Sequence, residues 1–270
     1  MNGRFVARLG ADAGTPRFLL VSEYYATLFR HFWRGSIVTI FISPVLYLVA
    51  MGLGVGSLID ANTSTSLGDT PYLNFVAPGL MASAAMQTGV NASMYPVLAS
   101  VKWLGTAHGI AATPIRPGDL ALGMQAWLAV QMLLGASVFT AVMAVAGVVD
   151  SPWVVLAPPA AVLCGLAYST LLSAWSVGRD GDYWFSLVFR LGVLPSFLLS
   201  GTFFPITQLP APLQAIAAVS PLWHGVELAR GFTGGTFTAP GAAGHALVLG
   251  LYVAVGVALV RREYTARLRS

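Results

Sequence analysis

Charge is scarce in this chain. Among 270 residues there are 14 Lys or Arg and 10 Asp or Glu, 9% in all, against 56% hydrophobic residues. Soluble domains usually carry about 25% charged residues, so most of this surface must face something other than water. Lysine is reduced to Lys102, in Val101-Lys102-Trp103. A nucleotide-binding P-loop needs Gly-Lys ahead of Ser or Thr, with the lysine on the phosphates, and is therefore excluded. A lone cysteine, Cys164, rules out an intrachain disulfide and any paired-cysteine metal spacing. The histidines His31, His108, His224 and His245 are dispersed and no HExxH occurs, so no metal site is expected. There is no G-x-S-x-G turn and no catalytic residue is expected. No basic stripe is interleaved with aromatics, which argues against nucleic acid as a partner. Every Asp and Glu falls in a loop or at the edge of an apolar run, whereas proton-coupled carriers bury acids in mid-span.

What remains are long uncharged runs. Between Asp119 and Asp150 stand 30 residues without a formal charge. A helix crossing the ~30 Å hydrocarbon core needs about 20 such residues, so the pattern is that of an all-α polytopic membrane protein. Six spans are expected, at 37–59, 73–95, 119–148, 153–176, 184–203 and 243–260. No short h-region follows Arg4 and Arg8, so no cleaved signal peptide is expected. The stretch Arg17 to Arg34 differs from the spans. Phe18, Val21, Tyr25, Leu28 and Phe32 recur at helical spacing with Glu23, Thr27, Arg30 and Arg34 opposite, as in a helix lying on a membrane surface, where it meets lipid and can dock a partner.

Basic residues cluster before the first span, at Lys102 and Arg116, at Arg179, and after the last span at Arg261, Arg262, Arg267 and Arg269. The other connections hold Asp60, Asp69, Asp150, Glu227 and one base, Arg230. Cytoplasmic loops retain Lys and Arg, so the chain is expected in the cytoplasmic (inner) membrane with both termini cytoplasmic. Arg190 falls inside the fifth span, with Asp180 and Asp182 near in sequence as candidate partners or with its head snorkelling to the interface. Leu191 to Val226 is uncharged for 36 residues but broken by Pro205, Pro210, Pro212 and Pro221. Only its first part can span; 204–242 is expected to re-enter the outer face, where broken backbone is tolerated beside protein or a cavity. Glu227 and Arg230, three apart on a short helix after Pro221, can face one another.

Three segments resemble the six-span permease subunit of type-2 ABC exporters, in the branch of the nodulation-factor and daunorubicin-type drug exporters. The Arg17–Arg34 helix resembles the family's interface helix. Trp103 through Thr113-Pro114-Ile115-Arg116-Pro117-Gly118-Asp119 is similar to its coupling loop, here 96–118. Ser200-Gly201-Thr202-Phe203-Phe204-Pro205, Leu209-Pro210 and Ser220-Pro221-Leu222-Trp223-His224-Gly225-Val226-Glu227-Leu228-Ala229-Arg230 resemble its outer segment. The resemblance implies a cytoplasmic ABC ATPase dimer carrying ATP and Mg, with no cofactor in this chain, and a second copy or a sister permease. It implies ATPase coupling through Glu23, Arg30, Lys102, Trp103, Thr113, Pro114, Arg116 and Asp119, and an outer gate of Phe203, Phe204, Pro205, Pro221, Trp223, Glu227 and Arg230. Many relatives place an acid after Leu122-Gly123, where this chain has Met124. The cargo implied is amphipathic or lipid-linked: a drug, polyketide, glycolipid or polysaccharide. Two other classes stay open at this point, a non-transporting assembly or immunity scaffold and a lipid-modifying enzyme using Asp180, Asp182 or His224.

Overall fold

A computed structural model describes residues 16–56, 58 and 71–269. Arg4, Arg8, Asp60, Asp69 and the end of the first expected span lie outside the described residues, as do the side chains of Phe32 and Arg34. The chain is an all-α polytopic membrane protein, with no strand among the described residues.

Helix α1, Arg17–Val49, continues into the π-helical turn Ala50–Gly56. The segments expected as a surface helix (17–34) and a separate first span (37–59) are therefore one element. Gly35-Ser36 weakens a helix by only about 1 kcal/mol, and no proline stands between Arg17 and Ser43 to remove a backbone donor. At about 1.5 Å per residue α1 is roughly 50 Å long, so one end overruns the hydrocarbon core. Then follow α2 (Tyr72–Ser93), α3 (Tyr95–Leu98, running into the π-turn Ala99–Trp103) and α4 (Thr106–Ala111). Next come α5 (Pro117–Val145), α6 (Pro152–Val177), α7 (Phe185–Leu199), α8 (Ala211–Val219), α9 (Pro221–Gly234) and α10 (Ala239–Arg269). Pro117, Pro152 and Pro221 each open a helix, where the missing N–H has no partner to lose.

Among the described residues α5, α6 and α10 are long and apolar enough to cross a membrane. Helix α7 is shorter than the span expected at 184–203: its 15 residues reach about 22 Å, and the chain turns at Ser200. Helix α10 instead outruns the expected 243–260 at both ends, passing Arg261 and Arg262 to reach Arg269. Its Leu247, Leu251, Val255 and Leu259 form an exposed stripe four residues apart, suited to contact with lipid tails.

Helix α6 is the centre of the bundle, packed on α2, α5, α9 and α10. A Cβ at Gly89 would sit 2.6 Å from the Gly165 carbonyl oxygen, and one at Gly165 would sit 2.8 Å from that of Ala85. Two backbones in contact need both glycines, since helices in lipid associate by close packing rather than by the hydrophobic effect. Between α5 and α6 the Gln125 amide donates to Ser173 Oγ at 2.9 Å and accepts from Ser169 Oγ at 2.7 Å, all three side chains being buried. One end of the bundle is filled by Tyr72, Val76, Phe139, Met143, Ala157 and Ala229, the other by Val21, Val97, Ile110, Ile115, Val260 and Tyr264. The second, basic end positions the first candidate site.

Candidate functional site

At the basic end, α1, the 95–116 loop, α5, α6 and α10 share one apolar cluster of which Val21, Ile110, Leu120, Val177 and Tyr264 are part. The loop tip projects from it: Trp103 and Leu104 are 57% and 72% exposed, so two large apolar side chains stand free of the bundle. Arg17 of α1 donates to the Pro114 carbonyl oxygen at 2.8 Å, and Thr113 Oγ1 donates to the Ile110 carbonyl at 2.6 Å. Arg116 precedes the first turn of α5, and Asp119 lies within that turn, where a carboxylate complements the positive end of the helix dipole. Glu23 and Arg30 are exposed on α1. Of the expected coupling residues of the loop, Pro114 is thus held by the start of α1, while Trp103 projects away. Met124 packs in the same cluster, with the Tyr264 hydroxyl donating to its Sδ at 3.8 Å.

Asp180, in the turn after α6, accepts from Lys102 Nζ at 2.7 Å and from Arg267 on α10 through one oxygen, Oδ1. Asp180, one of two candidate partners for Arg190, is held instead by Lys102 and Arg267, which converge on that carboxylate from two other elements. Their hydrogen bonds, Lys102 first, hold the Asp180 carboxyl below the usual carboxylate range. Interactions of that kind persist above the ordinary carboxylate value and are lost as pH falls through the lowered one. Arg190 is exposed instead beside a small cavity lined by Asn91, Tyr95, Phe185 and Ser186.

Of the expected gate residues of the outer segment, Phe203 and Arg230 are bonded to α2. Arg230 Nε donates to the Phe75 carbonyl at 3.3 Å, NH2 donates to Gly201 at 2.9 Å, and NH1 meets Glu227 Oε1 at 3.0 Å. Its guanidinium also lies over the Phe75 ring, 3.9 Å from the centroid. Thr202 Oγ1 joins Ser83 Oγ at 3.2 Å and Ser200 Oγ at 2.8 Å, while Tyr72 donates to the Phe203 carbonyl at 3.4 Å. Phe204 and Pro205 are half-buried, and Pro221 opens α9. Trp223 packs edge-on against both His224 and His245. His224 Nδ1 is 2.8 Å from His245 Nδ1, with Nε2 against the Ala218 carbonyl at 3.0 Å. These bonds assign the proton of His224 to Nε2 and make its Nδ1 the acceptor from His245. No sequence signal marks this pair, because its members are 21 residues apart on different helices.

Between α1, α2, α5 and α7 lies a cleft of about 420 Å³. Gln87, Thr88, Asn91 and Gln131 supply its polar wall, and Tyr47, Leu80, Met132, Phe139 and Phe197 its apolar one; among the described residues no charged side chain lines it. Phe197 stacks edge-on against Phe203, 5.1 Å between centroids, which ties the cleft to the outer segment. Sequence reading passed over these amides, although Gln87 and Asn91 stand four apart and so share one face of α2.

The profile of the ABC-2 type transporter family matches residues 24–232, which span the loop, the cleft and the outer segment. The chain belongs to this family. Among curated relatives, Nodulation protein J of Sinorhizobium fredii is 30% identical over 196 residues, 73% of each chain. That of Rhizobium leguminosarum bv. viciae is 30% identical over 197 residues, 73% of this chain and 74% of the relative. That of Neorhizobium galegae is 29% identical over 229 residues, 82% and 84%. An ABC-2 type protein is a transport subunit. His224 touches His245 and Asp180 touches Arg267, positions about 33 Å apart along α10.

In this ABC-2 type chain, replacing Thr113 and Pro114 by glycine is expected to lower ATP-dependent export about five-fold while the protein still inserts. Glycine frees the φ that Pro114 holds, and the loop then transmits less displacement. Export per inserted molecule in vesicles checks this, and unchanged export would count against a coupling role for the loop.

Proposed function

We propose that this chain is the membrane subunit of an ATP-driven exporter, working with a separate cytoplasmic ABC ATPase dimer that holds ATP and Mg. A second six-span bundle, another copy or a sister permease, completes the path. The chain lies in the cytoplasmic membrane with its basic end and both termini on the cytoplasmic side, since Lys102, Arg116, Arg179, Arg261, Arg262, Arg267 and Arg269 gather there. Trp103 and Leu104 offer the ATPase an apolar contact. ATP binding moves the bundle only if its two arrangements bind the ATPase with different affinity, which puts the driving contacts at this loop rather than in the cleft.

The uncharged cleft carries the reading of the cargo. Its volume lies in the usual range of ligand pockets, about 300–1,000 Å³, and it pairs an amide wall with an aromatic and aliphatic one. Such a surface suits an amphipathic or lipid-linked molecule whose polar part donates and accepts hydrogen bonds. The outer segment, Gly201 to Arg230, serves as the outer gate, with Phe203 and Phe197 joining it to the cleft.

Purification with the ATPase, followed by mass spectrometry of retained small molecules, tests both parts. Asn91→Leu with Gln131→Leu is expected to lower the retained cargo ten-fold or more, because each leucine leaves a polar group of the cargo unpaired at about 1–3 kcal/mol. The ATPase should still co-purify. Cargo retained at the wild-type level would remove the cleft from the path, and a chain that never co-purifies with an ATPase would overturn the exporter itself.

A further inference from the structure

We infer that Asp180 is a positioning residue, whose carboxylate fastens the Lys102 loop to the end of α10 so that displacement of the loop is passed to the last helix. The inference rests on the ATP-driven reading above. Three stretches far apart in sequence meet at one oxygen: Lys102 Nζ at 2.7 Å from the coupling loop, Arg267 from α10, and Asp180 itself from the turn that leaves α6. One turn before Arg267, Tyr264 is 1% exposed and buried among Val101, Ile110 and Val177, with its hydroxyl donating to Met124 Sδ. The junction therefore has two parts. Packing of Tyr264 holds loop and helix together, and the ionic contact sets how they move.

The Asp180 side chain is 80% exposed, so each ion pair adds little to folding. Its removal has a different consequence. Lys102 and Arg267 both reach within hydrogen-bond distance of Oδ1, so without the carboxylate the one atom that joins loop and helix is gone. The ionic link between loop and helix is lost, while the buried contact keeps the protein folded. At the loop's other exit, Arg17 holds Pro114, so the loop is fastened at both ends and its motion has a defined route.

The experiment uses the complex of this chain with its ATPase. An environment-sensitive fluorophore is attached to Thr238→Cys, at the exposed residue just before α10; Cys164 is buried and does not compete for the label. ATP with orthovanadate is the probe. In the parent complex the fluorophore responds to ATP and vanadate. Asp180→Asn is expected to reduce that response about five-fold or more, the scale of an ordinary coupling free energy between sites. ATP hydrolysis should stay within about two-fold, and Asp180→Glu should restore most of the response. A merely structural role would lower response and hydrolysis together and would not be rescued by charge. If Asp180→Asn responds as the parent does, the inference fails. If the parent binds no ATPase and gives no ATP-dependent signal, it is the exporter reading that fails.

Discussion

Replacing Arg230 by alanine is expected to detach the outer segment from α2 and to abolish export. The Arg230 side chain is 19% exposed and its guanidinium makes three hydrogen bonds, two of them to the carbonyls of Phe75 and Gly201. Alanine leaves those carbonyls without their donor and removes a cation from the Phe75 ring. Loss of a partly buried, charge-assisted set of this kind costs about 2–4 kcal/mol. Arg230→Lys should recover only part, since an ammonium cannot spread three donors over two carbonyls and a carboxylate. Glu227→Gln should cost under about 1 kcal/mol, because the Glu227 side chain is 37% exposed and water screens its half of the pair. Thermal unfolding in detergent ranks the three variants, and labelling of Phe204→Cys reports release of the segment. Equal stability of the alanine and glutamine variants would show that the carbonyl contacts carry no weight.

Replacing Gly123 by valine is expected to part α1 from α5 and disconnect the first helix from the loop. A Cβ there would lie 2.4 Å from Val21 Cβ and 2.6 Å from the Phe18 carbonyl oxygen, so the conflict involves backbone and a β-branched stem with no flexible end to yield. Overpacking at such a contact costs about 1–3 kcal/mol, and here it can be relieved only by moving a helix. The Arg17 bond to Pro114 and the place of Val21 in the apolar cluster would be lost together. Gly135, in the same helix, has nothing near its missing Cβ, so Gly135→Ala serves as a control. Proteolysis of the detergent-solubilised protein near residue 17 should accelerate in the valine variant and not in the control. Wild-type protection in both would mean that α1 does not depend on this contact.

The Phe203–Trp223 region shows how much of the outer segment was legible. Proline spacing located the broken segment and helical spacing paired Glu227 with Arg230, because both are local properties of the chain. That Arg230 also holds Phe75 and Gly201 could not be read, since those partners stand 155 and 29 residues away. At the basic end, the resemblance singled out the 96–118 loop, but that Lys102 pairs with Asp180 could not be read, since the two stand in different elements. Contacts of this length depend on how helices pack, and packing in lipid follows shape and small residues rather than a hydrophobic period.

What the sequence alone determined is the class of the molecule: with 9% charge and uncharged runs of 30 residues and more, only helices with every backbone group satisfied internally can be built in lipid. The tertiary structure decided where each helix ends and which side chains meet. The fused α1, the short α7 and the long α10 each departed from a pattern of hydropathy, which measures solvent and not neighbours. The cleft of Gln87, Asn91 and Gln131 exists only because α2 and α5 turn those faces toward a common space with α1 and α7. A polar residue in a span has an outward and an inward reading of similar composition, and only the packing of the other helices chooses between them.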